Sequence, residues 1–175
     1  EALRARGVEV LLMFDRIDEW MLGYLGEYAG KKLRNVAKGE LDLDKLPGVD
    51  AAKPENMKAA EGMVGRIKEL LGPRVRDVRA SRRLTDSASC LVLDEYDMAL
   101  HLQRVLREAG HDVPTAAPVL EINPAHPIVK RFEAETDVAR AGDLALLLLE
   151  QAQLLEGARI DDPAAFVRRM NALLA

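Results

Sequence analysis

The sequence predicts a mixed α+β fold, in which a partial βαβ unit precedes a domain with a three-stranded sheet, an amphipathic helix and a C-terminal helical bundle. Three observations lead to this prediction. Short β-branched and aliphatic runs alternate with longer stretches in which apolar residues recur at helical spacing. Apolar residues make up 49% of the 175 and aromatic residues only 4%, which is typical of a helix-rich core of Leu, Val and Ala. The longest helical pattern, 137–157, lies near the end of the chain.

The first 46 residues have the pattern of a strand, a helix and a second strand. The run GVEVLLMF at 7–14 has the length and composition of a buried strand, and KLRNVA at 32–37 suits another. Between them, Asp15 is placed to cap a helix whose apolar residues are spaced for burial. Because about 40 residues cannot bury both faces of such a unit, we expect residues 1–46 to be the end of a domain of a longer protein.

A Pro- and Gly-containing stretch separates this unit from the rest of the chain. The sequence LPGVDAAKPEN at 46–56 predicts a linker over 47–55 and a second domain over 56–175. Gly72 and Pro73 should stop the first helix of that domain, and Asp162 should cap the last. The expected helices are 57–71, 97–110, one opened by Asn123 and Pro124, 137–157 and 162–175; the expected strands lie within 74–84, 88–93 and 117–123, the first two joined by a polar turn at 85–87.

Candidate reactive residues are few, and each has a structural interpretation. Cys90 stands in a strand pattern without the neighbouring base and positive charge that would activate a nucleophile. Asp15, Asp18 and Glu19 are close enough for acid–base chemistry, but acids collect at helix starts because of the helix dipole. The five arginines between 74 and 83 favour a solvated strand face paired with acids elsewhere over a phosphate site. The sequence contains no glycine-rich phosphate loop and no metal-ligand spacing.

Charge and hydropathy argue against two further classes of protein. The formal charge of −4 gives no reason to expect nucleic-acid binding. The longest apolar run, 144–149, is far shorter than the roughly 18 residues of a membrane span. A single cysteine excludes an intramolecular disulfide and fits a reducing compartment.

The two helices predicted at the end of the chain carry more apolar surface than a small sheet can cover. Within 144–155, leucines occur on nearly every side of the predicted helix. A helix that is apolar on every side must be buried on every side. We therefore predict that these helices pair with those of a second copy as a four-helix bundle; the alternative is a bundle within one chain. The predicted interface residues are Leu144, Leu147, Leu148, Leu155, Phe166, Met170, Leu173 and Leu174.

The helix predicted at 97–110 raises a separate question about its apolar side. Met98, Leu102 and Val105 form one row with Leu106 beside it, whereas Gln103 falls with the polar residues of the other side. Periodicity alone leaves two possibilities open: the row lies in a core, or it stays exposed to hold a partner.

Several segments also have a family likeness. EVLLMFDRIDEWMLGYLGEYAGKKLRNVAKGELDL, SRRLTDSASCLVLDEYDM, LEINPAHPIVKRF and LLLLEQAQLLEG followed by DDPAAFVRRMNALL occur in this order. The first resembles the last strand–helix–strand portion of the middle domain of the ninety-kilodalton heat-shock chaperone family, specifically its bacterial HtpG subfamily. The others resemble that family's C-terminal dimerisation domain. The likeness covers nearly all the chain apart from 46–56.

The resemblance implies a homodimeric, ATP-driven clamp that assists protein folding. ATP and magnesium would be bound by an N-terminal domain with no counterpart here, so we expect no catalytic residue, cofactor or metal in this chain and an ATPase in its full-length parent. The implied partners are a second copy and unfolded or partly folded client proteins, without nucleic acid or membrane, in a bacterial cytoplasm. The ending NALLA lacks the acidic tail by which eukaryotic members recruit cochaperones.

The resemblance also implies a client-contact surface. By position it falls on Trp20, Met98, Leu102, Val105 and Leu106. Two alternatives remain open: a dimeric scaffold without a client role, and a small cytosolic enzyme that uses Cys90.

Overall fold

The computed structural model describes residues 2–5, 7–13, 15, 17–36, 60–93, 103, 106, 110–111 and 117–174. The first part contains α1 (Ala2–Ala5), α2 (Asp18–Tyr24) and an antiparallel hairpin of β1 (Glu27–Tyr28) and β2 (Lys31–Lys32). Ala29 and Gly30 form its two-residue turn with φ of 49° and 76°, the positive values that tight hairpin turns require.

The strand predicted at 7–14 is wrong for residues 7–13, which form no regular structure. Leu11 and Leu12 are 60% and 69% exposed. A strand is stabilised by its neighbours, and no strand in the described ranges pairs with this run. The strand predicted at 32–37 is also wrong over residues 33–36, because the hairpin ends at Lys32; in the described residues a helix and a hairpin replace the expected βαβ unit.

The second part carries the predicted three-stranded sheet. It consists of β3 (Asp77–Ala80), β4 (Ser89–Val92) and β5 (Val119–Ile122) in the order β3-β5-β4. β5 lies in the centre, parallel to β3 and antiparallel to β4. The mixed α+β class is therefore confirmed, although the two strands joined by the 85–87 turn are not neighbours.

The described second part has four α-helices: α3 (Glu61–Leu71), α4 (Pro127–Ala134), α5 (Val138–Leu155) and α6 (Pro163–Leu174). α3 packs on β3. α5 packs on β4, α3, α4 and α6. Ile67, Phe132 and Leu148 are fully buried in this core. Ser89 adds a polar bond inside it, because its hydroxyl donates to the carbonyl oxygen of Leu148 at 2.6 Å. No helix in the described part of the chain is both long and apolar enough to cross a membrane.

Most helix ends follow their predicted chemistry. Gly72 ends α3 with a φ of 56°, Asp137 caps α5, and Asp162 caps α6 before Pro163. The start predicted at Asn123 is wrong, because α4 begins at Pro127 and His126 caps it by accepting the Ile128 N–H. Asn123 is buried instead and its amide donates to the carbonyl of Thr85, which ties β5 to the loop before β4. The linker predicted at 47–55 lies outside the described residues.

Candidate functional site

The predicted interface residues of α5 and α6 divide into two groups. Leu144, Leu147, Leu148 and Leu173 are buried in the core of this same chain. Phe166 and Met170 are half-buried and pack against that core. Leu155 and Leu174 are 67% and 77% exposed. The surface free to meet a second copy is therefore narrower than the leucine pattern predicts.

α6 carries an exposed apolar strip beside its buried side. At about 100° per residue, Val167, Met170 and Leu174 fall within a sector of about 60°. Val167 is 52% exposed, and sequence reasoning did not single it out as an interface residue. Ala172 lies on the opposite side of the helix and is also exposed. The described residues of the chain therefore leave Val167 and Leu174 of this strip exposed.

Ion pairs fix the orientation of this strip. The guanidinium of Arg169 lies 3.2 Å from Asp143 and 2.5 Å from Glu150, two carboxylates on the facing side of α5. The side chain of Arg169 is only 12% exposed. Because one guanidinium binds acids two turns apart, it restricts rotation of α6 against α5.

The predicted client-contact residues are only partly described. Trp20 lies on α2, and Leu106 is half-buried, whereas Met98, Leu102 and Val105 fall outside the described residues. Leu106 is helical, and Gly110, the predicted end of its helix, has a φ of 84°; the His111 N–H donates to the Leu106 carbonyl at 2.9 Å.

Gln103, on the same helix, is almost completely buried. The sequence places it among polar residues opposite the apolar row, so its burial is unexpected.

A second apolar surface emerges on α2. The sequence spacing predicts that Ile17, Met21 and Tyr24 pack inward, but all three are exposed and recur at i, i+4 and i+7. They therefore form a single exposed row at the start and along one side of the helix that carries Trp20. The periodicity was visible in the sequence; its exposure was not.

The acids near the start of α2 have a structural role. Asp15 accepts the Ile17 N–H at 3.2 Å, and Asp18 accepts the Asp15 N–H at 2.9 Å. The predicted cap at Asp15 is wrong, because α2 begins at Asp18 with Ile17 at the cap position and no side-chain cap; the two carboxylates instead stabilise the turn before the helix. This role accounts for both carboxylates without catalysis.

A buried carboxylate gathers the arginine cluster. Glu121, in the centre of the sheet, accepts from Arg79 at 2.9 Å, from Arg83 at 2.8 Å and from the Ser81 hydroxyl at 2.8 Å. Its side chain is 5% exposed. The prediction that these arginines pair with acids elsewhere is confirmed for Arg79 and Arg83, but the acid is buried and not solvated.

Cys90 lies beside this cluster and is a poor nucleophile. Its sulfur is 3.9 Å from Oε2 of Glu121. Burial, and secondarily the charge of Glu121, raise the pKa of the Cys90 thiol to about 12, against a partial opposing effect of Arg83. A thiol with that pKa is protonated at neutral pH, which argues against the enzyme alternative.

Comparison with known protein families identifies the family of this chain. A family model described as Hsp90 protein matches residues 1–175, the full length of the chain. The chain belongs to the Hsp90 family. It is therefore a chaperone of the Hsp90 family, whose full-length members are ATPases that generally act as dimers and bind client proteins.

Family membership gives the exposed surfaces a context. The family generally acts as a dimer that binds client proteins. α6 and α2 each expose an apolar row in the described part of this chain.

Proposed function

We propose that this chain is the end of the middle domain and the C-terminal dimerisation domain of a bacterial Hsp90 of the HtpG type. In this proposal α5 and α6 form the homodimer contact, and apolar residues of α2 and of the helix around Leu106 contact clients. The observation that carries it is the family match over the whole chain, together with exposed apolar rows on α6 and α2.

The dimer contact is supported by the geometry of α6. Val167 and Leu174 expose aliphatic side chains next to half-buried Met170, while Arg169 orients the helix through Asp143 and Glu150. Obligate interfaces resemble a domain core cut in half, so an oriented aliphatic strip continuous with the core suits one. Leu155, near the other end of the same helical pair, adds exposed apolar area.

Charge substitution within the strip tests the dimer. Val167→Asp or Leu174→Asp would bury a carboxylate in the interface, and we expect dimer dissociation to become about 10- to 100-fold easier. Ala172→Asp adds the same charge on the opposite side of α6 and serves as the matched control. Light-scattering mass across a dilution series measures the change. A monomeric wild-type chain, or a Val167→Asp chain as dimeric as the wild type, would contradict the proposal.

The client contact is supported by the burial of two residues on one helix. Gln103 is buried and Leu106 half-buried. On a regular helix Met98, Leu102 and Val105 fall about 100° to 160° around the axis from Gln103. Because Gln103 is buried, we expect such a regular helix to turn that apolar row away from the body of the chain, which favours the open alternative. Methionine suits such a surface because its side chain adapts to varied partners.

Serine substitutions separate an open row from a core. We expect Met98→Ser, Leu102→Ser, Met21→Ser and Tyr24→Ser to weaken binding of a fluorescent, permanently unfolded protein while changing the free energy of unfolding by only about 0.5 kcal/mol each. Lys32→Ser, at an exposed polar position, is the control. If a substitution instead lowers the free energy of unfolding by about 2 to 5 kcal/mol and leaves client binding unchanged, the row that contains it belongs to a core. In that case a dimeric scaffold would be the better description.

A further inference from the structure

The two terminal nitrogens of the Arg83 side chain donate hydrogen bonds to different parts of the chain. Nη2 lies 2.8 Å from Oε1 of Glu121, in the central strand of the sheet. Nη1 lies 2.5 Å from the carbonyl oxygen of Val36, the last described residue of the first part. One guanidinium therefore joins two segments that are separated in sequence by residues 37–59.

The Glu121 end of this connection is rigid. Its carboxylate is buried and also accepts from Ser81 and Arg79. The Ser81 hydroxyl in turn accepts the backbone N–H groups of Arg83 at 3.2 Å and Leu84 at 3.3 Å, which fixes the turn from which Arg83 extends. Because a guanidinium is planar with donors at fixed angles, fixing one arm also fixes the direction of the other.

We propose that Arg83 is a positioning residue that fixes the end of the first part, at Val36, against the sheet of the second. Loss of its contact with Val36 frees the two parts to reorient. The contact also has a continuation: β5 pairs with β4, and Ser89 of β4 donates to the Leu148 carbonyl of α5. That this path carries movement between a client-binding part and the dimer helices rests on the proposed function; the positioning itself does not.

Distance measurement by pulsed electron paramagnetic resonance tests the positioning. Spin labels at Lys32→Cys and Lys130→Cys report on the first part and on α4, since both positions are exposed. Cys90→Ala removes the native thiol, and excess unlabelled chain suppresses distances between subunits. Arg83→Lys keeps a positive charge beside Glu121, but one ammonium does not reproduce the two-armed geometry. Losing one hydrogen bond raises the separated population about fivefold, so we expect the distance distribution to broaden as the share of distances outside its main peak rises about fivefold.

Two further variants make the result specific. Arg79→Lys alters a contact with the same Oε1 atom from β3, and we expect it to keep the wild-type width. An ester in place of the Val36–Ala37 amide weakens the Val36 carbonyl as an acceptor, removes the Ala37 N–H and leaves Arg83 and Glu121 unchanged, so it should broaden the distribution as Arg83→Lys does. Thermal melting of each variant checks that the fold is retained.

The proposal is overturned if the ester leaves the width unchanged, or if Arg79→Lys and Arg83→Lys broaden it equally. The proposed function fails by different measurements, namely a wild-type chain that neither dimerises nor binds an unfolded protein. Those measurements do not depend on the distance distribution, so the two failures are distinguishable.

Discussion

Glu121 illustrates how a single carboxylate organises residues that are distant in sequence. The arginine cluster at 74–83 predicts ion pairs with acids elsewhere in the chain, and Arg79 and Arg83 both pair with Glu121. The sequence could not identify the acid, because strand order decides it: only a central β5 brings Glu121 beside β3 and the turn after it. Cys90 shares this environment from β4.

The raised pKa of Cys90 predicts a pH dependence of stability. The folded thiol keeps its proton to a pKa of about 12, whereas the ordinary pKa of a cysteine thiol is 9.0. The folded chain therefore binds more protons between these values, and raising the pH through this window lowers the free energy of unfolding. The contribution is fully present below pH 9.0 and is lost as the pH approaches about 12.

Urea unfolding of the wild type and Cys90→Ala at about pH 8 and about pH 10.5 isolates the effect from other titrating groups. We expect the wild type to lose stability relative to Cys90→Ala at the higher pH. Alkylation of the folded wild type should also be slow at neutral pH. A constant difference in the free energy of unfolding between the two chains would contradict the assignment.

Helices were easier to predict than strands in this chain. α5 and α6 carry strong periodicity and begin at Asp–Val and Asp–Pro pairs whose capping chemistry is local, so their starts match the sequence. The α4 start was misplaced because two prolines, Pro124 and Pro127, offer the same signal, and the packing of Asn123 decided between them. The run at 7–13 was misassigned because a strand depends on neighbours that are invisible to local pattern.

The Asp162 cap gives a prediction for α6. Its Oδ1 accepts the Ala165 N–H at 2.9 Å, so Asp162→Ala should lower the free energy of unfolding by about 0.5 to 2 kcal/mol. Asp161→Ala, one residue outside the cap position, is the matched control and should change it little. Chemical denaturation of both chains at fixed protein concentration measures the difference. Equal effects from the two substitutions would show that the cap contributes nothing measurable.

At the scale of the whole molecule, the sequence predicts the fold class and the order of the elements better than it predicts which side chains are buried. Its α+β class, the three strands of the second part and the late helical pair follow from composition and periodicity. The division of the leucines between core and surface does not, because Leu148 and Leu155 look alike in the pattern and differ only by what packs around them. The family match explains the order of the segments but leaves that division to the packing.

The central position of β5 has a consequence for the synthesis of the chain. β3 and β4 leave the ribosome first, and neither pairs with the other in the finished sheet. The 27 positions from Val92 to Val119 (119 − 92) take roughly one to five seconds to translate at about 5 to 20 residues per second. Throughout that interval the edges that β5 will occupy are unpaired, and such edges readily pair with other extended chains. A nascent member of a chaperone family therefore passes through a period in which it is itself open to aggregation.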